Sequence, residues 1–215
     1  DVTRNARRVD NVPESLGVKI DVHVRGEVVM RKTMFEAKYR DISPNPRNLA
    51  AGALRQKRAE GKAKAEDLVF QAYDAKFPDA NNRHPQSITP QDFKQDSEVL
   101  LWLSETAGIE PAPWHVHGFD GAAEAIQSMC AETSKWAQQR DDYQFEIDGL
   151  VFKVDTLERR QLLGKTAHHP RWALAWKFPP EEAVSVLLGV TWQTGRTGAV
   201  TPVAKIAPQK VGGVT

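Results

Sequence analysis

Two lysines sit where lysine is least at home. The stretch FEIDGLVFKVD (145–155) is rich in aromatic and β-branched residues, the composition of a packed strand, yet it carries Lys153. Side chains alternate across a strand, so over 145–154 Lys153 shares a face with Phe145, Ile147 and Val151. Leu150, Phe152 and Val154 cover the other face. An ammonium between two apolar faces must snorkel to water, pair with an acid, or meet an anion from outside. RWALAWKF (171–178) repeats the pattern, with Trp172, Leu174, Trp176 and Phe178 on a heavy face and Arg171, Ala173, Ala175 and Lys177 on the other. Small residues leave room for a ligand that Lys177 would then face; an edge-strand lysine pointing into water over alanines fits the same pattern. Lysine is a compact charge suited to phosphate oxygens, and a pyrophosphate would compensate both ammonium groups.

Other charged residues have two readings each. Glu27 shares a strand face with Arg25 and His23, either as a ligand contact or as a solvated ion-pair face. NPRNLAAGALRQ (45–56) puts Arg47 in a turn and Arg55 two turns into a helix. Backbone donors at a helix start together with arginines make a phosphate-binding end, or simply a basic surface helix. Arg140 ends a helix, where a cation complements the dipole. Tyr73 lies on a strand, as core or as a stacking platform for a base. His168 and His169 lack a third ligand at metal spacing and read as loop residues.

The elements that must position these residues mix helix and strand. Residues 2–10 suit a short basic helix, and Val18, Ile20, Val22 and Val24 alternate with polar residues in a strand. Thr33 and Glu36 form a capping box for a helix over 34–40, and Asn48 caps a helix over LAAGALRQKRAEG. A strand over 68–75 is followed by an Asn/Pro-rich loop, and Thr89 with Pro90 opens a helix to about Ala107. PAPWHVHGF is extended, 121–138 is an amphipathic helix, and TLERRQLLG is helical. From Ala183 the texture becomes β-rich, with AVSVLLGVTWQ and GAVTPVAKI joined by the turn TGRTG and followed by KVGGVT. Strand and helix do not alternate regularly, so the fold class is α+β, with a boundary that separates 1–182 from 183–215.

Composition narrows the function. The 215 residues are 40% hydrophobic and 27% charged, with a net charge of +1, so any nucleic-acid footprint is a local patch rather than a global field. The single Cys130 excludes an internal disulfide framework and a cysteine-rich zinc site. No apolar run is long enough to span a bilayer and no signal peptide opens the sequence, so a soluble, intracellular protein without membrane contact is expected. Both termini read as cut rather than natural.

Taken together, VRGEVVM, NPRNLAAGALRQ, FEIDGLVFKVD, HPRWALAWKFPPEE and TGRTGAVTPVAKIAPQKVGGVT, in that order, resemble the adenylation domain of bacterial NAD-dependent DNA ligases. The resemblance spans nearly the whole chain and is loosest over 76–135. It implies a nucleotidyltransferase fold of antiparallel sheets flanked by helices, then the first strands of an OB-fold barrel from about 183. It implies NAD and Mg2+ as cofactors, with zinc only in a region this sequence lacks, and a cytoplasmic monomer, associated with the nucleoid, that acts on nicked duplex DNA. Carried over by motif, Glu27 contacts the AMP ribose, Tyr73 and Val151 line the adenine pocket, and Lys153 and Lys177 meet the α-phosphate. Arg47, Arg55 and Arg140 hold phosphates of cofactor or DNA, and Asp148 positions magnesium.

Two departures carry expectations. Asp148 and Lys153 are five residues apart, which sends them to opposite faces of a straight strand, so a bulge at Gly149 is expected. The family attacks NAD with the lysine of a K-x-D-G motif, and none occurs here; GFDG at 118–121 has glycine in its place. The sequence is therefore expected to begin after that motif and to be inactive by itself. A ligase-like module that binds nucleotide or nicked DNA without chemistry is the alternative, and an α+β domain with incidental lysines is the third.

Overall fold

Val18, Ile20, Val22 and Val24 turn toward one apolar cluster, as their alternation requires, and lead the chain into its first strand. The computed structural model describes residues 1–18, 20–57, 63–77, 92–180, 182–209 and 211. It divides into two units, Asp1–Phe178 and Pro179–Thr215. The first contains α1 (Thr3–Ala6), β1 (His23–Met30), α2 (Lys32–Lys38), α3 (Pro46–Arg55), β2 (Leu68–Lys76), α4 (Asp96–Glu105), α5 (Ala122–Gln139), β3 (Gly149–Lys153), α6 (Leu157–Leu163) and β4 (Ala173–Lys177). Its strands pair antiparallel as β1–β2 and β3–β4. Helices interleaved with small antiparallel sheets make the α+β class expected from the sequence.

The α3 helix shows why its sequence folds as it does. Asn45 is extended and its side chain accepts a hydrogen bond from the Asn48 N–H at 2.8 Å, while Pro46 occupies the first turn. Asn48 is therefore the donor to the cap rather than the cap. Pro46, Leu49, Ala50 and Ala53 are buried, the i, i+3, i+4, i+7 stripe of a helix that faces a core. They join Val9, Met30, Phe35, Tyr39 and Leu68 in one cluster. The Asn5 amide closes the far end of α3, donating to the carbonyls of Leu54 (2.9 Å) and Gln56 (2.7 Å). A second cluster joins Leu100, Trp102 and Leu103 of α4 to Ala72 of β2.

Several elements differ from their sequence expectations. The α1 helix is a single turn rather than 2–10, and α3 ends at Arg55. The α2 helix begins two residues earlier than the Thr33–Glu36 box would set it, because the Phe35 N–H already bonds to the Arg31 carbonyl at 3.0 Å. The expected opening of α4 at Thr89–Pro90, like the preceding Asn/Pro-rich loop from 78, lies outside the described residues. The helix itself starts at Asp96, where the Glu98 carboxylate accepts from the N–H groups of Lys94 (2.6 Å) and Gln95 (3.0 Å). The α5 helix is amphipathic, yet none of its residues is buried. The strand expected from Phe145 begins only at Gly149, although Phe145 is itself 1% exposed, beneath Arg31 and beside Tyr143.

In the second unit β5 (Leu187–Thr194) and β6 (Val200–Ile206) form an antiparallel hairpin, with every residue of both strands exposed. The turn between them is closed by the Gly195 N–H on the Ala199 carbonyl at 2.8 Å. The KVGGVT strand expected at 210–215 lies outside the described residues apart from Val211. Among the described residues no helix is long and apolar enough to cross a membrane.

Candidate phosphate-facing site

The β3–β4 register joins the two lysine patterns into one surface. Gly149 pairs with Lys177, Val151 with Ala175, and Lys153 with Ala173. Directly opposed residues of an antiparallel pair project to the same side. Lys153 and Lys177 therefore stand at diagonal corners of one face, with Val151 between them over a floor of Ala173 and Ala175. Val151 is 60% exposed, so this face is open rather than packed.

The expected bulge at Gly149 is absent, since the β3–β4 pairing runs without a register shift. Gly149 has a different reason to be glycine: a Cβ there would lie 2.1 Å from the Trp176 carbonyl oxygen. Asp148 escapes the alternation by preceding the strand. Its carboxylate accepts from Arg47 at 3.0 Å and lies 3.9 Å from the Lys177 ammonium. The Arg47 hydrogen bond, and then its charge and that of Lys177, hold the Asp148 carboxyl below the usual carboxylate range against the opposing pull of burial. Asp148 in turn raises Arg47, to which Glu27 adds a smaller electrostatic contribution. Glu27 and Arg47 line one cleft of about 120 Å³ with Val29, Pro46, Ala51 and Glu146.

The irregular strand lies elsewhere. In the β1–β2 ladder Arg25 pairs with Asp74 and Gly26 with Ala72, leaving Tyr73 as an extra, unopposed residue. A Cβ on Gly26 would come within 2.4 Å of the Gln71 carbonyl and the Phe70 ring, so only glycine allows this approach. The Tyr73 carbonyl accepts from the Lys153 ammonium at 2.6 Å, and that ammonium lies 5.9 Å from the centre of the Tyr73 ring. The ring itself is on a residue 45% exposed. Of the three fates open to a lysine in such a strand, Lys153 takes pairing: besides Tyr73 it reaches the Asp96 carboxylate at 3.5 Å.

Asp96 and its partner Arg160 are the residues that sequence reasoning missed. Both are buried, and the Arg160 guanidinium meets the two Asp96 oxygens at 2.8 Å each while stacking over Trp172 at 4.3 Å. A carboxylate at a helix start reads as a dipole partner, and nothing local points to an arginine 64 residues away.

The structure thus links Tyr73 to Lys153, places Lys153, Val151 and Lys177 on one face, and joins Lys177 through Asp148 to Arg47 beside Glu27. It does not bring in Arg55, whose guanidinium bonds back to the Ala51 carbonyl of its own helix at 3.0 Å. Arg140 stacks over Phe178, the residue after Lys177, at 5.5 Å. His168 and His169 are exposed in a tight turn, closed by the Thr166 N–H on the His169 carbonyl at 2.8 Å. Among the described residues no three His, Cys, Asp or Glu side chains converge as a metal cage. A lone carboxylate suits magnesium only together with ligand phosphates. Here Asp148 is engaged by Arg47 and faces Lys177, so the residues as arranged do not fit a resident magnesium ion.

Fold and site together define an α+β domain that presents paired cations over a small-residue floor. The model of the NAD-dependent DNA ligase adenylation domain matches residues 1–181, and the chain belongs to that family. The whole chain aligns with proteins named DNA ligase, at 39% identity over 225 residues in Psychrobacter cryohalolentis and 36% over 227 residues in Aquifex aeolicus. It spans only 30% and 29% of the length of those relatives.

Proposed function

We propose that this chain is the nucleotide-holding part of an NAD-dependent DNA ligase that seals nicks in duplex DNA. In the parent protein a lysine attacks the α-phosphorus of NAD, which forms lysyl-AMP and releases nicotinamide mononucleotide. The AMP passes to the 5′-phosphate of the nick, and the 3′-hydroxyl displaces it to join the strand. The observation that carries this reading is the shared face of Lys153 and Lys177, open above alanines and bordered by the exposed Tyr73 ring. Two lysines that share one open face suit an α-phosphate on which charge builds during phosphoryl transfer. Tyr73 and Val151 offer the adenine an aromatic and an aliphatic surface, and Glu27 offers the ribose a carboxylate. Arg47 stands ready for a second phosphate if Asp148 releases it, and Arg55 and Arg140 serve the DNA backbone. Residues 1–182 form the nucleotidyltransferase domain in this reading, and the hairpin after 183 opens an OB barrel.

The sequence contains no K-x-D-G, so this chain should bind AMP without being adenylated. The test has two arms. AMP added to the isotope-labelled chain should shift the amide signals of Tyr73, Val151, Lys153 and Lys177, and the full-length protein mixed with NAD should gain covalent AMP. Binding by the chain without adenylation of the full-length protein would favour a non-catalytic nucleotide module. Failure of both arms would sink the ligase reading.

A further inference from the structure

The Lys153 ammonium is seated before any phosphate arrives, and Asp96 and Arg160 beneath it lie outside the motifs that resemble the ligase family. Lysine carries three N–H donors. One donates to the Tyr73 carbonyl at 2.6 Å, and another lies toward Asp96 at 3.5 Å. That second separation is longer than the roughly 2.7–2.9 Å of a tight ammonium–carboxylate bond. Asp96 has its tight partner already, because the Arg160 Nη1 donates to its Oδ1 at 2.8 Å while Nη2 lies 2.8 Å from its Oδ2 as an ion pair. An ionised carboxylate offers about four lone-pair sites, so the arginine still leaves acceptor capacity for a lysine.

Asp96 is also fixed in space relative to β3. Its N–H donates to the Asp155 carbonyl at 2.9 Å, and the Leu157 N–H donates to the Lys94 carbonyl at 2.9 Å. The Asp155 carboxylate accepts from both the N–H and the hydroxyl of Ser97 at 2.8 Å. The start of α4 is thereby tied to the chain that leaves β3 two residues after Lys153. Arg160 is held in turn by the Trp172 face and by the Val154 carbonyl, which accepts from its Nε.

We propose that Asp96 is a positioning residue for Lys153. Its carboxylate and the carbonyl of the unopposed Tyr73 hold the ammonium at one corner of the open β3–β4 face. The third donor is left for an incoming phosphate oxygen. A lysine ordered this way loses its rotamer freedom on folding rather than on binding. The like charges of Arg160 and Lys153 flank Asp96, so neutralising the carboxylate leaves two cations facing each other and drives the lysine from its seat. The phosphate part of this proposal rests on the function proposed above; the seat does not.

The test reads the seat without nucleotide. In the 215-residue chain, cold 1H–15N spectra of lysine ammonium groups should show a Lys153 signal, assigned by its loss in Lys153→Met, with contacts to the Asp96 β-protons. Asp96→Asn should abolish that signal while the dispersed amide spectrum of the fold persists. Arg160→Gln should retain it, because Asp96 then has Lys153 as its cation. A signal that survives Asp96→Asn, or disappears equally in Arg160→Gln, would overturn the proposal by making the pair a scaffold only. Should either variant fail to fold, the wild-type spectrum decides. An ammonium that exchanges as fast as exposed lysines, or shows no Asp96 contact, overturns the seat, and a protected one in contact with Asp96 supports it. AMP titration supplies the second arm, in which Asp96→Asn weakens binding about tenfold and Arg160→Gln leaves it within about threefold, on the scale of one charge-assisted contact. If wild-type chain binds no AMP at all, the proposed function fails while the ammonium signal still judges the seat.

Discussion

Lys153 on β3 donates to the carbonyl of Tyr73 on β2 at 2.6 Å, across 80 residues of chain. The contact joins two irregularities: a charge inside an apolar strand and an unopposed residue in a neighbouring ribbon. Bulges leave one residue outside the ladder and re-aim what it carries. Here the re-aimed groups are an acceptor for the lysine and a half-exposed ring beside the same open face. The contact predicts that Lys153 is more than a solvated surface charge. Replacing Lys153 by Met should weaken AMP binding about 10–100-fold, on the scale of about 1.5–3 kcal/mol for a hydrogen bond to a charged group. Lys177→Met should cost less, because its side chain is 79% exposed. Calorimetric titration of both variants checks the order, and equal, wild-type-like affinities would remove both lysines from the site.

The Asp148 carboxyl should titrate below the ordinary aspartate range near about 3.9, chiefly because Arg47 hydrogen-bonds to it. A carboxyl with a depressed folded value contributes stability above its unfolded pKa and loses it as pH falls through the folded one. The window is therefore on the acid side, from about pH 4 downward. More than half of each side chain is exposed, so solvent screening keeps the contribution small. Arg47→Gln should bring the midpoint back toward the ordinary range. A carbon-13 titration of the Asp148 carboxyl reads this directly, and a midpoint indifferent to Arg47 would contradict the pairing.

Local signals made much of this legible. Alternation over 18–24 and 173–177, the apolar stripe of α3 and the helical pattern of 122–139 all follow from neighbours within a turn or a pleat. The two lysine faces were also legible, each on its own strand. Their union on one surface depends on the pairing of Gly149 with Lys177, a relation set by tertiary register and invisible to periodicity. The same limit explains the misplaced irregularity. Sequence spacing pointed to Gly149, but Asp148 lies before the strand and obeys no alternation, while the real bulge arises where Gly26 lets the ribbon close on Gln71. Asp96 and Arg160 went unread because each is an unremarkable residue on its own helix. Only their meeting beneath Lys153 gives them a role.

The Asn45 cap supports Arg47 through the first turn of α3. Asn45→Ala removes the acceptor for the Asn48 N–H and should destabilise the chain by about 1 kcal/mol. Denaturant melts should show a lower midpoint with an unchanged slope. Because Arg47 sits two residues after the cap, the Asp148 titration should also drift toward the ordinary range in this variant. Loss of stability without that drift would mean that Arg47 is placed by Asp148 alone.

Two glycines offer opposite outcomes for one methyl group. Gly52 lies within α3, and a Cβ there meets nothing within 4 Å. Gly52→Ala should therefore stabilise the chain by about 0.5–1 kcal/mol, through helix propensity and a less flexible unfolded state. Gly149 begins β3, and its Cβ would fall 2.1 Å from the Trp176 carbonyl oxygen and 2.9 Å from the Lys177 Cα. Those atoms are backbone and cannot swing aside, so the strands must part at the corner where Lys177 is anchored. Gly149→Ala should destabilise by about 2–3 kcal/mol, at the upper end of overpacking costs. It should also weaken AMP binding more than its global stability loss explains at temperatures where the chain remains folded, since it displaces Lys177 relative to Lys153. Paired denaturant melts and AMP titrations on the two variants separate the effects. A Gly149→Ala chain with normal stability and normal affinity would show that the close approach of β3 and β4 does not govern the site.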